Sequence, residues 1–268
     1  MNVFICSVKA IRHAIGYVLL EQRESGMNAV ILYQMGKVGS SSLEYSLETV
    51  DVPVLHLHRI FWGSYETPFS GIFIPLSAIQ KVRQRLIYRY YIMQKKAKII
   101  TLYRDPLARN VSSFFENLNH YFSEEECSRL TFERLEQRFN SLDRMRETPI
   151  RWFEQELCRK TKIDIFAHPF DQDAGFAVIR VGKTEIFLCT LERLGDRTHE
   201  IASFLNIPDF ELHNQNVGGD KWYSALYAEF KQRYNPPPSM LQALYESKAA
   251  RYFYSSSQRE QFQRKWRK

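Results

Sequence analysis

The feature that most constrains the fold is an apolar run, Asn28-Ala-Val-Ile-Leu-Tyr33, that passes directly into Gln34-Met-Gly-Lys-Val-Gly-Ser-Ser-Ser42 and then into Leu43-Glu-Tyr-Ser-Leu47. A mostly apolar segment of strand length predicts a buried strand. The glycines and serines that follow predict a tight loop, and the next segment has helical character. The order therefore reads strand, glycine loop, helix. It recurs downstream. Val52-Pro-Val-Leu-His-Leu-His58 is a second strand candidate and Lys98-Ile-Ile-Thr-Leu-Tyr103 a third. Pro106 opens a helix expected to run to about Phe122, since proline fits a first helical turn that needs no amide donor there. Strands alternating with helices predict an α/β fold with a central parallel sheet flanked by helices.

The remaining segments fill in around that frame. Residues 3–24 and 75–95 are expected to be helical, the latter with a basic face. The middle, about 123–165, shows helical patterning, with one helix expected from Pro149 to Leu157. Phe176–Val181 and Glu185–Leu191 read as strands around a Gly182-Lys183 turn, followed by a helix from about Asp196 to Leu205. His213–Asp220 is a polar loop, and the tail is helical apart from Pro236-Pro-Pro238. No repeat and no long linker divides the chain, so one domain over residues 1–268 is expected.

Composition excludes several classes. A hydrophobic content of 44% with 14% aromatics suffices for a buried core and argues against disorder. A mean hydropathy of −0.39 and the lack of a long uncharged apolar run argue against a membrane span. Four cysteines (Cys6, Cys127, Cys158, Cys189) with no C-x-x-C pair suit a reducing compartment, and no convincing signal peptide opens the chain. A cytoplasmic location is expected. The net charge of +7 is concentrated. Lys81, Arg83, Arg85, Arg89, Lys95, Lys96 and Lys98 occupy one segment without an acid, and Arg264, Lys265, Arg267 and Lys268 end the chain. These runs read as solvated faces. Without zinc-finger spacing, basic-zipper heptads or an RNA-binding signature, no nucleic-acid partner is expected.

The first loop carries the most chemistry. A loop between a strand and a helix N-terminus offers backbone amides and the positive end of the helix dipole to an anion. Gly36 and Gly39 let the backbone approach a ligand, Ser40, Ser41 and Ser42 add hydroxyls, and Lys37 adds a mobile charge. The pattern is not G-x-x-x-x-G-K-[ST], because Val38 follows Lys37. A second anion contact is expected where Arg104 ends the third strand, with Ser112 two turns into the next helix, at the sheet edge where ligands of such folds bind. Alternatives remain for both loops: a serine-rich helix cap with an incidental lysine, and an Arg104 paired with Asp105.

Together, Gly36-Lys-Val-Gly-Ser-Ser-Ser42 and Arg104-Asp-Pro-Leu-Ala-Arg-Asn-Val-Ser112 resemble the PAPS-dependent sulfotransferases (PAPS is 3′-phosphoadenosine 5′-phosphosulfate). The first loop is similar to the family's 5′-phosphosulfate loop and the second to its 3′-phosphate motif. The tail Ala250-Arg-Tyr-Phe-Tyr-Ser255 with Lys265-Trp266 resembles a bacterial capsular-polysaccharide branch. The resemblance implies a P-loop-like sulfotransferase fold and metal-free transfer of a sulfuryl group from PAPS to a hydroxyl, with a glycan as the expected acceptor. It assigns Lys37, Gly39, Ser40, Ser41 and Ser42 to the phosphosulfate and Arg104 and Ser112 to the 3′-phosphate. Arg109 falls on an internal arginine of structural role. Lys37 is expected to stabilise the leaving phosphate oxygen.

The acceptor needs a base. Alternation places His56 and His58 on one face of the second strand, with His58 nearer its carboxyl end. Both are candidates, His58 foremost, with Glu44, Glu66 and Glu116 as lesser alternatives. Lys221, in a late loop with Gly218 and Gly219, is a further candidate for the nucleotide. Trp152 and Phe153 are expected in the core, and Glu192 at a helix start or in a core pair. The acceptor surface is expected from residues 59–75, 115–150 and 210–222. Two competing readings are a nucleotide kinase of similar architecture and a non-catalytic protein that binds anions or nucleic acid.

Overall fold

The computed structural model describes residues 30–58, 97–213 and 221–267. The helices expected over 3–24 and 75–95, the candidate base Glu66, and the 214–220 part of the polar loop lie outside those residues. The described residues contain strands β1 (Val30–Tyr33), β2 (Val54–Leu57), β3 (Ala97–Tyr103), β4 (Phe176–Val181) and β5 (Thr184–Thr190). They form one sheet in the order β2-β1-β3-β5-β4. The apolar strands β1, β3 and β5 are central. Every residue of β1 is buried, as are Ile99 and Ile100 of β3 and Ile186–Cys189 of β5. Helices cover both faces, so these strands have no polar side to show.

The sheet is parallel from β2 through β5, and β4 joins it antiparallel at the edge. The connection explains it. Only Gly182 and Lys183 join β4 to β5, with Gly182 at φ 57°. A turn that short can close only a hairpin. In the parallel part, Tyr33 pairs with Leu57 and Tyr103 with Thr190. The carboxyl ends therefore lie along one edge. The chain leaves β1 for β2 on one side and returns to β3 on the other, so the loops after β1 and β3 diverge across a switch point. Ligands of open α/β sheets bind at such a crevice.

Two helices frame that point. Helix α1 (Ser40–Glu48) begins at Gly39 and buries Leu43, Ser46 and Leu47. Helix α2 (Pro106–Glu116) begins at Asp105, whose carboxylate accepts from the amides of Leu107 (3.1 Å) and Ala108 (3.4 Å). Its buried face carries Leu107, Val111, Phe114 and Phe115, while Ser112 and Glu116, four residues apart, share the opposite side. The helix ends at Glu116 rather than near Phe122. The Asn117 amide donates to the Ser113 carbonyl (2.7 Å), taking a last-turn acceptor, and a separate short helix, α3 (Leu118–Tyr121), follows.

Next come α4 (Glu124–Cys127), α5 (Phe132–Asn140) and α6 (Asp143–Trp152). The last continues through a π-helical turn, Phe153–Cys158, into α7 (Arg159–Thr161). Pro149 lies inside α6 and does not start a helix. Leu191–Arg197, just after β5, is a 3₁₀ turn, so the helix expected from Asp196 is α8 (Thr198–Leu205). The chain closes with α9 (Ser224–Arg233), α10 (Pro238–Tyr245), α11 (Lys248–Phe253) and α12 (Ser256–Trp266). Among the described residues no helix is long and apolar enough to cross a membrane.

The aromatic content builds the core between these helices and the sheet. Phe114, Phe115, Phe139, Phe230 and Tyr234 form one edge-to-face and stacked cluster, and Tyr103, Phe153 and Phe253 another. Trp152 and Phe153 are buried as expected. The tail reaches back to the loop after β3. Tyr245 donates to Asp105 (2.6 Å), Trp266 Nε1 lies 3.5 Å from the same carboxylate, and Tyr254 donates to Glu192 (2.6 Å). Glu192 in turn accepts from the Asp105 amide (2.9 Å), which makes it a core-pairing carboxylate. Asp105 is buried in this network and so does not pair with Arg104.

Candidate anion-binding site

The loop after β1 is held in place by buried groups. Gln34 accepts from the Leu102 amide through Oε1 (3.1 Å), which ties the end of β1 to β3. Arg109, buried on α2, donates from Nε to the Gly36 carbonyl (3.0 Å), consistent with a structural role. The backbone then turns through positive φ at Lys37 (71°) and Gly39 (89°). Gly39 cannot be replaced without strain, because a Cβ there would stand 2.5 Å from Leu191 Cδ1. As the residue before α1 it also offers no side-chain acceptor to the first-turn amides. The positive end of α1 therefore opens toward the cleft beside Ser40, Ser41 and Ser42.

The loop after β3 joins the first one. Arg104 Nη1 donates to the Lys37 carbonyl (3.1 Å). Ser112 and Glu116 extend from α2 on the same side. The cleft enclosed by these groups has a volume of about 510 Å³, within the usual range for small-molecule sites. Lys37, Gly39, Ser40, Ser41, Ser42, His56, His58, Arg104, Ser112 and Lys221 all line it. Ten residues chosen on chemical grounds from five separate stretches of chain thus meet at the switch point.

Its electrostatics are dominated by three cations, Lys37, Arg104 and Lys221, against the carboxylate of Glu116. Glu116 bridges two of them. Its Oε2 lies 3.2 Å from Lys37 Nζ, bonds Lys221 Nζ, and accepts from the Tyr223 hydroxyl (2.7 Å). The Lys221 contact, assisted by Tyr223 and Lys37, holds the Glu116 carboxyl down at about 2. It is therefore ionised at neutral pH and a poor proton acceptor. All three charged side chains remain partly exposed, and ion pairs of that kind contribute about 0–1 kcal/mol. A ligand with several negative charges outcompetes such a pairing.

The histidines divide their roles. His58 Nδ1 meets the Gln34 carbonyl (2.9 Å). Because a carbonyl only accepts, that nitrogen carries the proton and Nε2 is the basic one. Nε2 lies beside the first loop, 3.9 Å from where a Cβ on Gly36 would be. Desolvation of the ring lowers the His58 pKa from its ordinary value, opposed by the Gln34 bond and assisted by His56 and Arg109. The imidazole is therefore neutral at pH 7 with its lone pair on the cleft side. His56 Nδ1 faces the Glu44 carboxylate (2.8 Å) and its ring stands edge-on to His58, 4.6 Å between centroids. Its Nε2 is buried without a partner among the described residues. His58 thus keeps its unprotonated nitrogen beside the first loop, and His56, which also lines the cleft, is paired with Glu44. Glu44 is tied to His56 in this arrangement.

Some of the site was not anticipated. Tyr223, Tyr227, Phe115 and Leu191 complete the walls. The spacing of Tyr223 and Tyr227 was a visible signal, since residues four apart share a helix face just after Lys221. Glu116 was foreseen only as a base and is instead the counter-ion of Lys37 and Lys221. Among the described residues, no group of three or more His, Cys, Asp or Glu side chains is arranged to hold a metal ion.

Residues 145–255 match the NKWYS family model, described as "Putative capsular polysaccharide synthesis protein". The match spans less than half of the chain. No curated protein and no solved structure matches it. Read as amino-acid letters, the name NKWYS agrees in four of its five letters with Asp220-Lys-Trp-Tyr-Ser224. Two of these, Lys221 and Tyr223, are the groups that bind Glu116 in the cleft. The NKWYS match also contains Trp152, whose indole donates to the His58 carbonyl (2.9 Å), and Glu156, which accepts from Tyr33 (2.8 Å). The matched segment therefore buttresses the ends of β1 and β2, which lie outside it.

The cleft brings together the N-terminus of α1, which has no side-chain cap, with Lys37, Arg104 and Ser112, a donor set suited to a ligand with several negative charges.

Proposed function

We propose that the protein is a sulfotransferase that moves a sulfuryl group from PAPS to a hydroxyl of a glycan acceptor. The observation that carries this reading is the hydrogen bond from Arg104 to the Lys37 carbonyl. It joins the two anion loops into one site with the order and chemistry of the phosphosulfate and 3′-phosphate motifs. The NKWYS match supports a role in capsular polysaccharide chemistry. The antiparallel edge strand and the 2-1-3-5-4 order are compatible with a P-loop-like fold.

In this reading Ser40, Ser41, Ser42 and the first-turn amides of α1 hold the phosphosulfate, and Arg104 and Ser112 hold the 3′-phosphate. PAPS, when bound, supplies an activated sulfuryl group, and adenosine 3′,5′-bisphosphate is the product left in the cleft. His58 Nε2 takes the proton from the attacking acceptor hydroxyl. Base catalysis of this kind contributes about 10²- to 10⁴-fold. Lys37 neutralises the charge that collects on the phosphate oxygen as its bond to sulfur breaks, with the α1 dipole acting in the same sense. Lys221 and Tyr223 line the cleft and hold the Glu116 carboxylate.

Calorimetric titration with adenosine 3′,5′-bisphosphate tests the reading. Binding that is weakened about 10- to 100-fold in Arg104→Ala supports it. No binding of the bisphosphate, together with binding of magnesium-ATP, overturns it in favour of a kinase.

A further inference from the structure

Beside the anion cleft lies a second depression with different chemistry. It has a volume of about 580 Å³ and is lined by Asn119, Phe122, Glu124, Ser128 and Trp222, among others. Trp222 is 55% exposed, more than any other large apolar side chain among the described residues, and its ring borders this depression. We infer that this depression is the acceptor subsite and holds an uncharged sugar residue of the glycan, stacked on the Trp222 indole. The inference rests on the sulfotransferase reading for the term "acceptor" but not for the binding itself.

A pyranose presents an apolar C–H face and a rim of hydroxyls. Its natural partner is an exposed aromatic ring ringed by a few polar groups. Trp222 supplies the ring. Arg134 already stands over the ring of Phe122 (6.0 Å) and pairs with Glu126 (2.7 Å), so Phe122 is the lesser surface. Around them, Asn119 Oδ1 is engaged by Cys127 Sγ (3.6 Å), which leaves the amide NH₂ as the donor side. Ser128 gives its proton to the Glu125 carbonyl (2.7 Å), which leaves its oxygen as an acceptor. Glu124 is exposed and accepts. This mixture of donor and acceptors suits hydroxyl groups.

The charge selects further. Among the described residues that line the depression there is no Lys or Arg, whereas the neighbouring cleft has three cations. A uronate or an already sulfated residue is disfavoured here and a neutral sugar favoured. The two sites are also joined. Trp222 stands between Lys221 and Tyr223, with its ring edge-on to Tyr223 at 5.5 Å. Asn119 follows Glu116 by three residues. A glycan anchored on Trp222 therefore lies next to Tyr223, which is itself a wall of the anion cleft.

The test applies the full chain to a printed array of bacterial capsular polysaccharides, neutral and uronate-bearing. The expected result is retention on at least one neutral polymer, weakened at least tenfold in Trp222→Ala and largely kept in Trp222→Phe. Equal retention of parent and Trp222→Ala, retention on uronate polymers alone, or no retention on any polymer overturns the inference. Affinity for adenosine 3′,5′-bisphosphate is measured on the same samples. Trp222-dependent glycan retention without bisphosphate binding leaves the subsite standing and removes the sulfotransferase reading. The reverse pattern removes the subsite alone.

Discussion

Glu116 and Lys37 meet at 3.2 Å across the cleft, and the same carboxylate oxygen also bonds Lys221 and Tyr223. One acidic side chain thus ties the glycine loop after β1 to the segment that precedes α9. Replacing Glu116 with Gln removes a negative charge from an anion site. Affinity for adenosine 3′,5′-bisphosphate is expected to tighten a few-fold, the scale of a partly exposed ion pair. Because the Glu116 carboxyl is held at about 2, it stays ionised across the working range, and its contribution is lost only as pH falls from the ordinary carboxylate range toward that value. Titrations at pH 6 and pH 8 should therefore show the same ratio of Glu116→Gln to parent affinity.

His58 governs a different pH limb. Burial lowers its pKa from the ordinary histidine value, so the basic form persists at neutral pH and is lost only in more acidic solution. Turnover is expected to rise with pH through that depressed pKa and then level off. His58→Gln should lower turnover by about 10²- to 10⁴-fold and abolish the acidic limb. Rate–pH profiles of the two proteins decide the point; an unchanged profile in His58→Gln assigns the base elsewhere.

Arg104 is expected to matter for the nucleotide more than for the fold. Arg104→Ala should weaken adenosine 3′,5′-bisphosphate by about 10- to 100-fold, the value of a charged hydrogen bond. Thermal denaturation should change little, since the residue is only partly buried and donates to a loop carbonyl.

Gly39→Ala acts on backbone and packing together. The residue holds φ 89°, and the added methyl meets Leu191 Cδ1 at 2.5 Å. A loss of about 1–3 kcal/mol is expected, measured as a lower Tm, with weaker bisphosphate binding. Adding Leu191→Ala should recover part of the loss, because it removes the clash and leaves the dihedral strain.

Tyr245→Phe probes the buried anchor of the second loop. It removes a 2.6 Å bond to Asp105, whose pKa burial already raises. A folded-state carboxyl raised in this way favours folding at low pH and disfavours it as pH climbs above the ordinary carboxylate range. Without the Tyr245 hydroxyl the ionised form has fewer donors. The deficit, about 1–3 kcal/mol, should therefore be larger at pH 8 than at pH 5 in parallel melts.

Much of this was legible in the sequence because local rules carried it. The apolar runs 28–33, 98–103 and 185–191 marked the central strands, and the glycine–serine segment marked the helix start that opens on the cleft. Lys37, Arg104 and Lys221 were identifiable as cations in or beside loops, and Ser112 as a hydroxyl two turns into the helix that follows Arg104. What was not legible depended on contacts between distant segments. The Glu116 bridge joins residues more than a hundred positions apart, and nothing in the spacing announces it. The pairing of His56 with Glu44 needs α1 to pack beside β2. The helix stop at Glu116 came from the Asn117 side chain competing for a carbonyl.

The central claim is the transfer itself. The full-length protein is incubated with ³⁵S-labelled PAPS and the capsular polysaccharides that it retains, and the polymer fraction is counted. The account predicts label in the polymer with the parent protein, and counts at background with Arg104→Ala and with His58→Gln. Background counts with the parent protein, in a preparation that also fails to bind adenosine 3′,5′-bisphosphate, would contradict it.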